Sequence, residues 1–381
     1  MKKRKTLKIM LLILAGLAII YLCLPQYART ALIYWHVGID DHPIFHNRIV
    51  EAGDPSPWKH HPAYNQYQLP EALLDSMLQY EPIAYIIIKD SMLLHEEYWD
   101  GYSEKSLTNP FSASKSIVSI LMGIAIDKGF VESVNDKVIK YLPEAFNHDG
   151  NDAMTIKDLL QMASGSEWNE EYSGLFTPTT AAYYGKDLEQ LMLKQGSETK
   201  PGEKYRYQSG NTQLLAMIIT QASGMTLSDF ASTYFWTPVQ AERDALWCLD
   251  DEEGMEKAYC CFNTNATDMA RLGQLVLNRG AWNNHRVVSE AWLEESLKPA
   301  SHLHDEKGKQ VDFYGYQWWM LQHRGHAITY ARGILGQYVL IFPDLNMVVV
   351  RMGHHRSKKY IGHHPSDVYL YIDAALQMIS Q

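Results

Sequence analysis

Phe111-Ser112-Ala113-Ser114-Lys115-Ser116-Ile117-Val118-Ser119-Ile120-Leu121-Met122-Gly123-Ile124-Ala125 is the stretch around which the chain is organised. Ile117, Ile120, Leu121, Ile124 and Ala125 recur at i, i+3, i+4, i+7 and i+8, the spacing of the buried stripe of an amphipathic helix. That period puts Ser112 in the first turn and Lys115 one turn on, on the same face. A serine hydroxyl becomes a useful nucleophile only when a base removes its proton, and a lysine can do so only as the free amine. The positive end of the helix dipole and a desolvated pocket both disfavour an ammonium there. The same helix end offers backbone N–H groups to a developing oxyanion.

Serine and lysine are common, so the spacing alone is a weak signal. Ser197-Glu-Thr-Lys200 repeats it, but runs straight into Pro201-Gly202, a turn that leaves no helix for it to open. Only the Ser112 copy has the context that the chemistry needs.

Outward from this helix, the 381 residues are 46% apolar, with 24 Tyr and 10 Trp, enough for a large core in one domain or two closely packed ones. Lys and Arg number 34 against 44 Asp and Glu, and no basic cluster stands outside residues 1–8, which excludes nucleic acid as a partner. Those first eight residues carry five cations, and the run that follows to Leu24 is almost wholly apolar. Residues 1–8 read as a cytoplasmic basic tail and 9–25 as a transmembrane anchor or signal, with the rest of the chain on the extracytoplasmic side. No small-x-small cleavage site follows the apolar run, which favours an uncleaved anchor. Beyond it stand Cys248, Cys260 and Cys261. They read either as buried free thiols or as one disulfide from Cys248 to one of the neighbouring pair, since adjacent cysteines rarely bond each other.

Residues 26–69 are rich in Pro, His and Asp and read as an irregular arm. Asp40, Asp41, His42 and His46 cluster there, but no periodic element holds them as metal ligands. A serine hydrolase domain is expected over residues 70–381. Pro70 opens a short helix, and a run rich in β-branched residues at 83–88 continues, after the Lys89-Asp90-Ser91 turn, through 92–98 as a hairpin. From about 127 to 300 the punctuation is helical, with starts at Thr155, Asp187, Asn211, Thr226, Asn265 and Ser289. Strands return at 316–321, 326–331, 337–342 and 347–352, and a helix over 367–379 closes the chain. The expected class is α+β, a single antiparallel sheet flanked by helices with an inserted helical subdomain, preceded by the N-terminal anchor.

Three segments carry a family resemblance. Ser112-Ala-Ser-Lys115, Pro201-Gly-Glu-Lys-Tyr-Arg-Tyr207-Gln-Ser209-Gly-Asn211 and Ala331-Arg-Gly333-Ile334-Leu-Gly336-Gln337 resemble, in order and spacing, the site motifs of the serine β-lactamase and penicillin-binding-protein superfamily. Within it the chain is most similar to the class C-like branch, above all the aminohexanoate-dimer hydrolases and related esterases. Supporting phrases are Ser164-Gly-Ser-Glu-Trp-Asn-Glu-Glu-Tyr172, Lys257-Ala-Tyr-Cys-Cys261 and Tyr316-Gln-Trp-Trp319.

The resemblance implies a β-lactamase/transpeptidase-like fold over roughly residues 70–380, with Ser112 as acylated nucleophile, Lys115 as its base and Tyr207 as proton shuttle. It implies an oxyanion hole from the N–H groups of Ser112 and Ile334, the latter just past Gly333. Trp168, Tyr172, Ser209, Ala331 and Gly333 would line the substrate. Ser209 replaces the usual Asn, and Ala331 replaces the Lys or His that anchors a substrate carboxylate, which counts against penicillins and D-Ala-D-Ala. Strand alternation points the adjacent Arg332 to the opposite face.

Asp268 and Arg271 read as a structural i, i+3 pair. His302, His304, His354-His355 and His363-His364 read as surface histidines, since no zinc-type spacing accompanies them. No metal or other cofactor is expected. The expected activity is an amide or ester hydrolase working through an acyl-enzyme on a small-molecule substrate. A D-Ala-D-Ala carboxypeptidase, a weak β-lactamase and a non-catalytic ligand-binding domain of the same fold remain alternatives.

Overall fold

The computed structural model describes residues 2–146 and 152–380. The apolar run forms one long helix, α1 (Lys2–Cys23), with its side chains exposed and long enough to cross a bilayer. Pro25 breaks it, and a second helix, α2 (Gln26–Tyr34), follows at once. The 26–69 stretch thus holds more regular structure than its composition suggests. It also contributes β1 (Asn47–Val50), whose partner strand lies about two hundred residues away. Asp41 accepts hydrogen bonds from Gly38 N and Tyr183 Oη, and Asp40 from Tyr102 Oη, so both serve to tie this stretch down.

Next come α3 (Glu71–Leu78) and the hairpin β2 (Pro82–Lys89) and β3 (Met92–Tyr98), where expected. The central helix is α4 (Ser114–Asp127). The helical block then runs through α5 (Ile156–Leu160), α6 (Pro178–Tyr184), α7 (Leu188–Leu193), α8 (Ser209–Ser223) and α9 (Leu227–Ala231). Side-chain caps start several of these helices. Thr155 and Asp158 form a reciprocal capping box at α5, and Thr226 accepts from Asp229 N at α9. Gly224, in the left-handed region, ends α8.

Strands β4 (Ala245–Cys248) and β5 (Phe262–Asn263) join β1 in a small three-stranded sheet. After α10 (Ala266–Leu277), a short hairpin of β6 (Ala281–Trp282) and β7 (His285–Arg286) and then α11 (Glu290–Ser296) complete the block. Strands β8 (Trp319–His323), β9 (His326–Gly333), β10 (Gln337–Phe342) and β11 (Met347–Gly353) return to the main sheet. A two-stranded ribbon, β12 (Tyr360–Ile361) and β13 (His364–Pro365), precedes the closing helix α12 (Asp367–Met378).

The main sheet has six antiparallel strands in the order β3-β2-β11-β10-β9-β8. The fold is α+β, as expected, although the strands form several sheets and not one. Alternation along the main sheet supplies two cores. Ile86, Ile88, Val339, Ile341, Val348 and Val350 face α4, α8 and α10 on one side, while Tyr85, Ile87, Leu340 and Val349 face α12 on the other. Helix α10 lies so close to the sheet that a Cβ at Gly273 would stand 2.6 Å from Val348 Cγ1.

Helix α4 departs from the amphipathic reading, because every residue from Ser114 to Ala125 is buried. The polar face opposite the apolar stripe packs inside the protein, where Ser116 Oγ donates to Gln317 O at 2.7 Å. A helix buried on all sides is a rigid base for whatever stands at its start.

The cysteines also differ from expectation. Cys260 and Cys261 bond each other, and Cys248 is a buried free thiol. Cys261 is in the left-handed region (φ 69°).

Candidate active site

Ser112 sits in the 3-10 turn Phe111–Ala113, which runs directly into α4. Phe111 is in the left-handed region (φ 47°), where a side chain costs energy, and Asn109 holds it there. Asn109 Oδ1 accepts from Phe111 N at 2.8 Å and from Cys261 N at 2.9 Å. The turn carrying Ser112 is thereby tied to the segment that follows Tyr259.

Lys115 is 1% exposed, and its Nζ lies 2.9 Å from Ser112 Oγ, 3.0 Å from Ser209 Oγ and 2.9 Å from the Tyr259 carbonyl. A neutral amine satisfies this shell by donating to Tyr259 and Ser209 and accepting the Ser112 proton. Burial brings the Lys115 pKa down to about 8, with the Glu170 carboxylate pulling partly the other way. Tyr207 stands over the same amine, its ring centroid 5.2 Å from Nζ, with its hydroxyl close to the Ser112 side chain. Burial, reinforced by Glu170, pushes the Tyr207 phenol above its ordinary value, so it keeps its proton near neutrality.

Glu170 organises the next layer. It accepts from Ser209 N (2.6 Å), Ser209 Oγ (2.5 Å), Trp168 Nε1 (2.7 Å) and Tyr172 Oη (2.5 Å). Lys115, Ser209 and Glu170 therefore form one hydrogen-bonded chain from α4 through the start of α8 to the 165–172 loop.

Strand β9 reaches the site at its end. A Cβ at Gly333 would stand 2.1 Å from Pro110 O, so only glycine allows β9 to approach the Ser112 turn this closely. Ile334 follows and borders the same cleft as Ser112. Two limbs meet at Ser112, Tyr172 and Ile334. One, of about 730 Å³, is the more polar of the two and is walled by Tyr207, Trp319, Arg332, Arg356, Glu170 and Asp305 among others. The other, of about 530 Å³, is bordered mainly by apolar side chains of α2, the 172–175 loop and α6.

A family model described as Beta-lactamase matches residues 71–360. The chain belongs to the beta-lactamase family. It is 28% identical over 285 residues to a 6-aminohexanoate-dimer hydrolase of Paenarthrobacter ureafaciens, covering 71% of each chain. Among solved structures, a candidate 6-aminohexanoate-dimer hydrolase from Bacillus anthracis matches with a TM-score of 0.74 at 19% identity, over 87% of this chain and 90% of that one. A family VIII carboxylesterase matches with a TM-score of 0.66 at 14% identity, over 87% of this chain and all of the other. At these identities the structural likeness is one of fold.

Within this beta-lactamase fold, Ser112, Lys115, Tyr207, Ser209 and Tyr172 converge, and Gly333 and Ile334 border the cleft beside them. Two residues expected to line the substrate border neither limb. Trp168 is 1% exposed and packs on Gly210 beneath the site, where its indole N–H holds Glu170. Ala331 is fully buried in the core on the α4 side of the sheet, outside both limbs.

Arg332 does point to the opposite face, as alternation requires, but the polar limb opens on that face. Its guanidinium stacks on Trp319 at 3.3 Å and donates to His363 O at 2.7 Å. His302, His304 and His355 are exposed, as expected, but His363 and His364 differ from a surface role. His364 is buried against Tyr330 Oη at 2.7 Å, and burial brings its pKa down to about 3, while His363 stacks on Phe313 and borders the polar limb. Asp268 and Arg271 form the expected internal pair, 2.7 Å apart. Glu170, Asn109 and the Tyr259 carbonyl are the site components that sequence reasoning missed, and Arg332 is one that it discounted. Glu170 and Tyr259 lie inside the supporting 164–172 and 257–261 phrases, whereas Asn109 had no signal to find.

Proposed function

We propose that this protein is a serine hydrolase that cleaves an amide or ester through an acyl-enzyme. The observation that carries the reading is the 2.9 Å contact between a fully buried lysine amine, its pKa lowered to about 8, and the Ser112 hydroxyl. Neutral Lys115 takes the Oγ proton as Oγ attacks the carbonyl carbon. The N–H groups of Ser112 and Ile334 receive the oxyanion. As the tetrahedral species collapses, the C–N or C–O bond breaks, and the leaving atom takes a proton from Tyr207, which is resupplied by Lys115. Water then attacks the ester, giving its proton to the same pair, and Ser112 Oγ regains its proton as the acid leaves. No metal or other cofactor has a part in these steps. Structures of the same fold named as an amidohydrolase and as a carboxylesterase are consistent with both bond types.

A second reading has a specific observation in its favour. Arg332 and Arg356 border the polar limb together with Glu170, Glu171, Asp305 and Glu306, and among the described residues neither arginine forms an ion pair. They could supply the anionic anchor that Ala331 lacks, which keeps a D-Ala-D-Ala peptide or a β-lactam as a competing substrate. The binding-domain alternative requires no turnover at all. Helix α1 is proposed to anchor the catalytic domain to the membrane on the extracytoplasmic side, its positive end remaining in the cytoplasm.

Rapid mixing with p-nitrophenyl acetate, short peptides ending in D-Ala-D-Ala and nitrocefin separates these readings. The expected result is a nitrophenol burst stoichiometric with enzyme, followed by steady turnover, both lost in Ser112→Ala. Turnover of nitrocefin or of the peptides alone selects the second reading. Intact, folded protein inert to all three contradicts the hydrolase.

A further inference from the structure

We infer that the acyl half of the substrate is an aliphatic chain, held in the apolar limb that α2 builds beside Ser112. This rests on the acyl-enzyme reading above. The limb is walled by Ala31, Leu32 and Trp35 on or just after α2, by Leu175 on the 172–175 loop and by Tyr183 and Tyr184 of α6. Its volume, about 530 Å³, falls within the range of small-molecule pockets. Ser112 and Ile334 border it as well, so whatever fills it is continuous with the carbonyl under attack.

The direction of the substrate follows from the proton transfer. Tyr207, the group placed to protonate the leaving atom, borders the polar limb and not the apolar one. The leaving group therefore departs into the polar limb, past Arg332 and Arg356, and the acyl chain lies in the other. An apolar wall around the acyl chain gains free energy for each methylene removed from water.

The wall facing α6 does not come from the family domain. The family match begins at residue 71, whereas α2 occupies Gln26–Tyr34 and packs on α6, with Tyr34 stacked on Tyr184 at 6.4 Å between centroids. From Gln26 to Leu32 is roughly 9 Å along the helix, so this wall stands close to the end of the apolar helix α1. Exposed Leu32, Ile33, Trp35 and Phe176 extend the apolar surface near the mouth. A hydrocarbon chain meets mainly apolar groups along this approach, whereas a charged acyl group would be stripped of water beside a lining that holds no Asp, Glu, Lys or Arg to pair with it.

The test is a chain-length series of p-nitrophenyl acetate, butyrate, hexanoate and octanoate, each below its micelle concentration, with the full-length protein in mild detergent. Fluorophosphonate labelling of Ser112 is read in parallel. The expected kcat/KM rises about fourfold per added methylene until the limb is full, so octanoate exceeds acetate by at least about a hundredfold. In Leu32→Glu, which puts a charge on the limb wall at an exposed position, the octanoate/acetate ratio is expected to fall at least tenfold. Ala31→Phe, which fills the limb, is expected to do the same.

Acetate turnover and Ser112 labelling with a flat or falling chain-length series would overturn the acyl-chain inference and leave the hydrolase standing. A steep series unchanged in both labelled variants would also overturn it, because the chain would then lie elsewhere. Failure of all esters together with failure to label Ser112 would remove the hydrolase reading and this inference with it.

Discussion

Lys115 illustrates how much one position can ask of its surroundings. Its amine is closed off from solvent, and loss of solvation outweighs the Glu170 carboxylate, leaving the pKa at about 8. A base with that pKa is active when deprotonated, so kcat/KM for an ester is expected to rise about tenfold per pH unit below 8 and to level off above it. A profile flat from pH 6 to 9 in stopped-flow acylation would exclude Lys115 as the titrating base. Lys115→Ala is expected to lower acylation by about 10²- to 10⁴-fold near pH 7. Glu170→Gln removes the charge that holds Lys115 protonated, so the rising limb of the profile should move to lower pH. Movement to higher pH would contradict that coupling.

The Ser112–Lys115 pair was legible in the sequence because its geometry is local, set where a 3-10 turn runs into α4. Glu170 was not, since it reaches Lys115 only through Ser209, 39 residues further along. Arg332 was misjudged for a different reason. The alternation was read correctly, but which face of the sheet opens into the cleft depends on how the 305–307 and 356–363 segments pack, and no strand period carries that information.

At the scale of elements, α4 and the end of β9 have to meet for the site to exist. Ile120 is fully buried in α4, and Ile120→Ala is expected to cost about 2–5 kcal/mol in urea unfolding, through lost transfer energy and the cavity left behind. A cost below about 1 kcal/mol would mean that the helix is not the packed base described. At Gly333 an added methyl would run into Pro110 O. Gly333→Ala is expected to leave the protein folded while lowering kcat about 10²-fold or more, because it pushes β9 away from Ser112. Normal turnover in that variant would show that the close approach is dispensable.

Most element starts were readable because caps act locally, as at Thr155, Asn265 and Ser289. Helix α6 carries an equally local signal, Thr177 followed by Pro178 at the first helical position, which was overlooked. The β1–β4 pairing is different in kind. Neither four-residue strand has a pattern that names a partner about two hundred residues away.

The whole molecule joins an exposed apolar helix to a domain with two cores, one on each face of a six-stranded sheet. The class was readable from the order of strand and helix signals. The contribution of α2 to the cleft was not, because an arm rich in Pro and His gives no hint of where it docks. If α1 is an anchor, the full chain is expected to stay in the membrane fraction after an alkaline carbonate wash, and its recovery in the supernatant would contradict anchoring. Everything proposed for the cleft, however, depends on whether Ser112 is a nucleophile. The most direct measurement is mass spectrometry of the intact protein and its Ser112 peptide after exposure to a fluorophosphonate probe at pH 8. The expected result is one adduct per chain on Ser112, absent in Ser112→Ala and much slower in Lys115→Ala. Folded protein that stays unmodified, or carries the adduct on another residue, would contradict it.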